Sequence, residues 1–241
     1  MADETDAACQ AAAPGDWDRR SVLALGVGSL LATVLQGARP AAAQSAQRRA
    51  TLVIGLDISD ATGLDPVRVY QYSNPLPTHA AYDCVVTFAS GDAVNLKPAL
   101  ATKWEYQPDG KTVRLTLRDG VKFASGKPVT AEDVRFTFAR QLAIKDQPWQ
   151  YISHVEDVKA VDPHTVDIVL KDPTLPLMTI IASPPFGITE KALVEAHGGT
   201  DAADAKEKDK ATEWLNQNSA GSGPYRLVGW QRNQQIQMVK N

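Results

Sequence analysis

Hydrophobic and polar positions change period between residues 100 and 142. Val113, Leu115 and Leu117 alternate with Thr112, Arg114 and Thr116. A period of two puts the apolar set on one face, so the stretch predicts a half-buried antiparallel strand. Pro108-Asp109-Gly110 before it and Asp119-Gly120 after it predict turns, because Pro presets φ and Gly accepts a positive value. From Val134 the period lengthens. Val134, Phe138 and Leu142 fall at i, i+4 and i+8, the spacing of one helix face. Thr130 stands just ahead, where its side chain can bond the free amides of the first turn. This helix is expected to pack on the preceding sheet, with Phe136 and Phe138 in the core.

The rest of the chain reads the same way. A second β pair brackets Asp162-Pro163-His164, with Val166, Ile168 and Leu170 alternating after it. Residues 51–56 form a short apolar, β-branched run of buried-strand type, and residues 59–66 carry the Gly and Pro of a loop. Pro173, Pro176, Pro184 and Pro185 mark an irregular region with a short helix around residues 177–181. Residues 189–196 predict a helix stopped by Gly198-Gly199. The charged stretch 201–217 predicts one exposed helix, its charges a solvated face and Trp214 and Leu215 on its inner side. Gly221-Ser222-Gly223-Pro224 then turns the chain into Tyr225, and a last strand runs over residues 235–239.

The first 43 residues follow a different pattern. Arg19-Arg20 precede an apolar run from Val22 to about Leu35, which closes on Arg39-Pro40-Ala41-Ala42-Ala43. A basic pair, a mildly apolar segment and an Ala-x-Ala site predict an export signal cleaved after Ala43, with Ala41 and Ala43 as its small residues. The paired arginines resemble the twin-arginine class, which has its own translocase. The run falls short of the ~20 residues a membrane-spanning helix needs. Residues 1–43 are therefore set apart from the fold.

Composition adds exclusions. A net charge of -3 and no basic stripe give no case for nucleic acid. Of the two cysteines, Cys9 lies in the discarded segment, so Cys84 is expected unpaired, a small buried hydrophobe among apolar neighbours. His79, His154, His164 and His197 have no metal-ligand spacing. No phosphate loop and no G-x-S-x-G elbow occur. Glu132-Asp133 sit at a helix start, where the dipole explains them. None of this supports an enzyme, and no metal or cofactor is expected.

Several fragments carry a family resemblance. They are Leu64-Asp65-Pro66, Leu100-Ala101-Thr102-Lys103-Trp104, the run from Leu117 through Gly120 and Phe123 to Val134, and Gly221-Ser222-Gly223-Pro224-Tyr225. In this order they resemble the extracellular solute-binding proteins of family 5, the periplasmic oligopeptide-, dipeptide- and nickel-binding group. The resemblance implies a mixed α/β (α+β) fold of the type II periplasmic-binding-protein kind, with two lobes closing on a solute. On that pattern residues 44–83 begin lobe I, residues 84–215 form an inserted β-rich domain, and residues 216–241 return to lobe I. It implies Val69, Tyr70, Gln71 and Tyr72 as ligand-facing, with Trp149 and Tyr151 from the inserted domain. It also implies a monomer in the periplasm that captures peptides or similar solutes for the permease subunits of an ABC importer. Family members are much longer, and lobe II is expected to be missing. The alternatives are a truncated fragment that does not bind, or a sensory or chaperone-like binding protein without an importer.

Overall fold

A computed structural model describes residues 51–172 and 176–241. The predicted export signal, with Arg19, Arg20, Ala41 and Ala43, lies outside the described residues. The chain divides into two units, residues 1–55 and residues 56–241. Of the first, residues 51–55 are described. They carry no strand, and Leu52 and Val53 are more than four-fifths exposed. The buried strand expected over residues 51–56 is thus not formed, and Leu56 too is exposed. An apolar run becomes a buried strand only where neighbouring strands take its amides and cover both faces.

The second unit is built around a four-stranded antiparallel sheet. Its strands are β3 (Ala101–Tyr106), β4 (Thr112–Leu117), β5 (Val155–Asp162) and β6 (Thr165–Leu170), in the order β3-β4-β6-β5. The short hairpin of β1 (Val86–Phe88) and β2 (Leu96–Pro98) precedes it. The period-two reading holds: Val113, Leu115, Val166, Ile168 and Leu170 are fully buried. The opposite face bears a row of alternating charge across the strands, Glu105 beside Arg114, Arg114 beside Asp167 and Asp167 beside Lys159. Within it Arg114 grips Asp167 through two bonds of 2.7 Å. Opposite charges at paired positions keep this polar face in register, because a one-residue slip would bury them.

Helix α2 (Ala131–Ile144), the longest described helix, packs on β5 and β6. It follows α1 (Pro75–Ala81) and is started by a capping box. Asp133 Oδ2 accepts from the Thr130 amide at 2.9 Å, and the Thr130 side chain in turn bonds the Asp133 backbone. Val134 and Phe138 are buried against the sheet as the i, i+4 pattern requires, and Phe138 stacks on Phe186 with ring centroids 6.4 Å apart. Phe136 is also buried, but in a second cluster with Val194, Ala211, Leu215 and Ala220. The helix is therefore covered on two sides.

After α3 (Trp149–Ile152) and α4 (Leu177–Ile181), a 3-10 turn over Pro184–Phe186 leads to α5 (Lys191–Ala196). Gly198 stops α5 at a φ of 85°, as expected. The single exposed helix expected over residues 201–217 is instead two short ones, α6 (Ala205–Lys208) and α7 (Thr212–Leu215). The break falls at Asp209, which is buried. Its carboxylate is drawn inward to an arginine, so the charge run is not simply a solvated face.

The closing hairpin pairs β7 (Tyr225–Gln231) with β8 (Gln235–Lys240). Gly221 and Gly223 lie against α1, where a Cβ at either position would run into the backbone of Ala81. The Gly223 amide donates to Ala81 O at 3.0 Å. These glycines serve a close backbone approach. Cys84 is buried, and its thiol is pushed up to about 12 by burial and then by the Asp83 charge. It is the small core residue the sequence predicts.

Candidate functional site

The loop over residues 58–74 is closed by its own polar side chains. Asp60 Oδ2 accepts from the Ser73 amide at 3.2 Å, and Asn74 Nδ2 donates to Gly63 O at 2.7 Å. Asn216 accepts from the Leu64 amide at 2.7 Å. Asp65 caps a single turn, its Oδ1 taking the Val67 amide while its carbonyl takes those of Arg68 and Val69. Pro66 fits this turn because its ring presets φ and it has no amide to satisfy.

The loop is moored by a buried ionic cluster. Arg140, fully buried on α2, donates through Nη1 and Nη2 to the two oxygens of Asp65 at 3.0 and 2.6 Å. Its Nε and Nη2 reach Asp209 at 2.7 and 2.8 Å. Thr212 and the Thr200 amide take further lone pairs of Asp65 and Asp209. Burial alone would depress the Arg140 guanidinium, but Asp65 and Asp209 outweigh it and hold it above its usual range. Asp209, which burial would push up, is held below the usual carboxylate range by the hydrogen bond and charge of Arg140. Nothing in the sequence reading anticipated this cluster. A signal was present: Arg140 lies midway between buried Phe136 and Ile144 on one apolar helix stripe.

Arg68 extends the mooring outward. It donates to Asp146 Oδ2 at 2.7 Å and approaches Asp209 Oδ1 at 3.3 Å. This joins the loop to the turn between α2 and α3, which carries Trp149 and Tyr151.

The residues nominated from the family pattern are distributed unevenly. Tyr70 and Tyr151 meet edge to face, with centroids 5.6 Å apart and planes at 82°. Both rings stay partly open, at 38% and 42% exposure. Gln71 lies beside them and donates through Nε2 to Thr62 Oγ1 and Gln147 Oε1, each at 2.9 Å. Its own Oε1 is buried and has no hydrogen-bond partner among the described residues. Val69 is half-buried, and its side chain would crowd a Cβ at Gly63. Tyr72 stands 86% exposed, and Trp149 is half-buried at the start of α3. Neither joins an aromatic pair among the described residues. Gln147, which no sequence feature singled out, sits at the centre of the group.

This arrangement offers apolar ring faces, phenol hydroxyls and amide groups on a moored loop, a chemistry suited to holding a polar chain with apolar side groups. No group of three His, Cys, Asp or Glu that could hold a metal ion occurs among the described residues.

Residues 95–241 match the family described as bacterial extracellular solute-binding proteins, family 5 Middle. The chain is 34% identical over 216 residues to the Probable D,D-dipeptide-binding periplasmic protein DdpA of Escherichia coli, covering 88% of this chain and 40% of that one. It is 31% identical over 175 residues to the Dipeptide-binding protein of the same organism, covering 64% of this chain and 31% of the other. Among solved structures it resembles the ABC transporter-associated periplasmic binding protein DppA from Helicobacter pylori in complex with peptide STSA. There the TM-score is 0.63 and the identity 26%, over 75% of this chain and 37% of that one. The chain thus spans at most about two-fifths of these relatives' length. The likeness gives it the type II periplasmic-binding-protein fold, mixed α/β. By its sequence and its fold, this chain belongs to the bacterial extracellular solute-binding proteins of family 5.

Proposed function

We propose that the chain is the substrate-binding component of an ABC importer that captures peptides or similar solutes in the periplasm. Val69, Tyr70, Gln71 and Tyr72, with Trp149 and Tyr151, form one wall of its ligand site. The observation that carries this reading is the half-open Tyr70–Tyr151 pair, held at a fixed angle on a loop moored by buried charge. Rigid aromatics present a large contact area at little entropic cost. The relatives' names, dipeptide-binding and D,D-dipeptide-binding, favour a short peptide as the occupant.

The same reading assigns residues 44–83 and 216–241 to lobe I and residues 84–215 to an inserted domain. Contacts between α1 and β7, and between Gly223 and Ala81, support joining the two outer segments. Arg19 and Arg20 direct export through the twin-arginine translocase, cleavage follows Ala43, and the mature protein delivers its solute to permease subunits as a monomer.

The test is calorimetric titration of the 241-residue chain with L-Ala-L-Ala and D-Ala-D-Ala. Tyr151→Ala and Trp149→Ala should each weaken the favoured peptide by about 1–3 kcal/mol, the scale of a central aromatic contact. Unchanged affinity in both variants would remove the site assignment.

A further inference from the structure

We propose that Gln147 is the positioning residue of this peptide-facing wall, fixing Tyr70 and Gln71 against the Tyr151 turn before any ligand arrives. The inference rests on the binding reading above. Helix α2 ends at Lys145 in the left-handed conformation, with φ 58° and ψ 38°. That reversal aims Asp146 at Arg68 and delivers Gln147 to the loop. The Trp149 amide donates to Asp146 O at 3.0 Å and the Tyr151 amide to Pro148 O at 3.2 Å, so the turn carrying Gln147 is itself held.

Gln147 Oε1 accepts two donors from the loop, the Tyr70 backbone amide at 2.9 Å and Gln71 Nε2 at 2.9 Å. A backbone amide can only donate, so the atom facing it must be the oxygen, and the side-chain orientation follows. Holding the Tyr70 amide fixes the backbone from which its ring meets Tyr151. Holding Gln71 Nε2, together with Thr62, turns Gln71 Oε1 away from both partners. One exposed side chain thus sets the placement of a ring and of the Gln71 amide. Arg68 and Asp146 tie the same two segments together, but that ion pair touches neither Tyr70 nor Gln71.

An exposed hydrogen bond adds little to global stability, so the effect is local preorganisation of the wall. The experiment follows amide hydrogen exchange and ring-to-ring nuclear Overhauser effects in the ligand-free 241-residue chain, comparing Gln147→Met with Gln147→Glu. The methionine has similar length and no acceptor. The glutamate carboxylate accepts the same two donors. In Gln147→Met the Tyr70 amide should exchange on the order of tenfold faster, matching the loss of one hydrogen bond. The Tyr70–Tyr151 cross-peaks should fade while the thermal midpoint stays in place, and Gln147→Glu should restore both signals. Unchanged exchange and cross-peaks in Gln147→Met would overturn the proposal. So would a fall in thermal midpoint with exchange rising throughout the chain, or a glutamate variant that behaves like methionine. Titration with L-Ala-L-Ala and D-Ala-D-Ala runs separately. If the wild type binds neither, the peptide reading falls while the exchange result still decides the role of Gln147.

Discussion

Asp65 concentrates more of the architecture than any other single side chain in the loop. Its Oδ1 accepts from Arg140 and from the Val67 amide, and its Oδ2 accepts from Arg140 and Thr212. All this takes place out of water, where a guanidinium that loses a partner cannot turn to solvent. Replacing Asp65 with Ala should therefore cost about 3–5 kcal/mol, the range for breaking one side of a buried ion pair. Urea unfolding of the purified chain measures it, and a change within about 0.5 kcal/mol, as for an ordinary surface site, would contradict the mooring role. Asp65 was visible in the sequence as part of a family loop, but its partners were not. Arg140 lies 75 residues away, and Asp209 hides in a charged run that composition alone assigns to solvent. Pairing across such distances leaves no periodic trace. The tyrosine pair was accessible only through family resemblance, and Gln147 is a polar turn residue with no local pattern to mark it.

Among elements, legibility follows how much of the deciding interaction is local. The β4 alternation and the α2 stripe predicted their own burial because each face is repeated several times within one element. The run at residues 51–56 did not become a strand, since a strand's hydrogen bonds belong to its neighbours. The stretch 201–217 broke into α6 and α7 because Asp209 is pulled toward Arg140 between them. The start of α2 makes a further prediction. Glu132 bonds Arg135 at 2.8 Å within the helix and Lys191 of α5 at 2.7 Å. The Arg135 hydrogen bond, opposed by partial burial and reinforced by Lys191, lowers its carboxyl from the ordinary 4.5 to about 2. A group depressed on folding stabilises the native state fully above its unfolded pKa, and that contribution fades as pH falls through the folded value. The link between α2 and α5 should thus weaken between about pH 4.5 and about pH 2. Asp209, also lowered, adds to the same acid sensitivity. Glu132→Gln should flatten part of the fall in urea midpoint across that window. A pH profile identical to the wild type would show that this ion pair carries no acid-linked stability.

For the molecule as a whole, the type II fold and the family place the chain among solute-binding proteins, and the ionic mooring holds the loop on which Tyr70 meets Tyr151. A ligand that binds only the native state must raise its stability, by about 2.7 kcal/mol at a hundred times its Kd. The most direct measurement is therefore thermal unfolding of the 241-residue chain with and without a mixed pool of di- to pentapeptides. A cooperative transition whose midpoint climbs with peptide concentration, and climbs less in Tyr151→Ala, is the expected result. A cooperative transition that stays at the same temperature at every peptide concentration would contradict peptide capture by this chain.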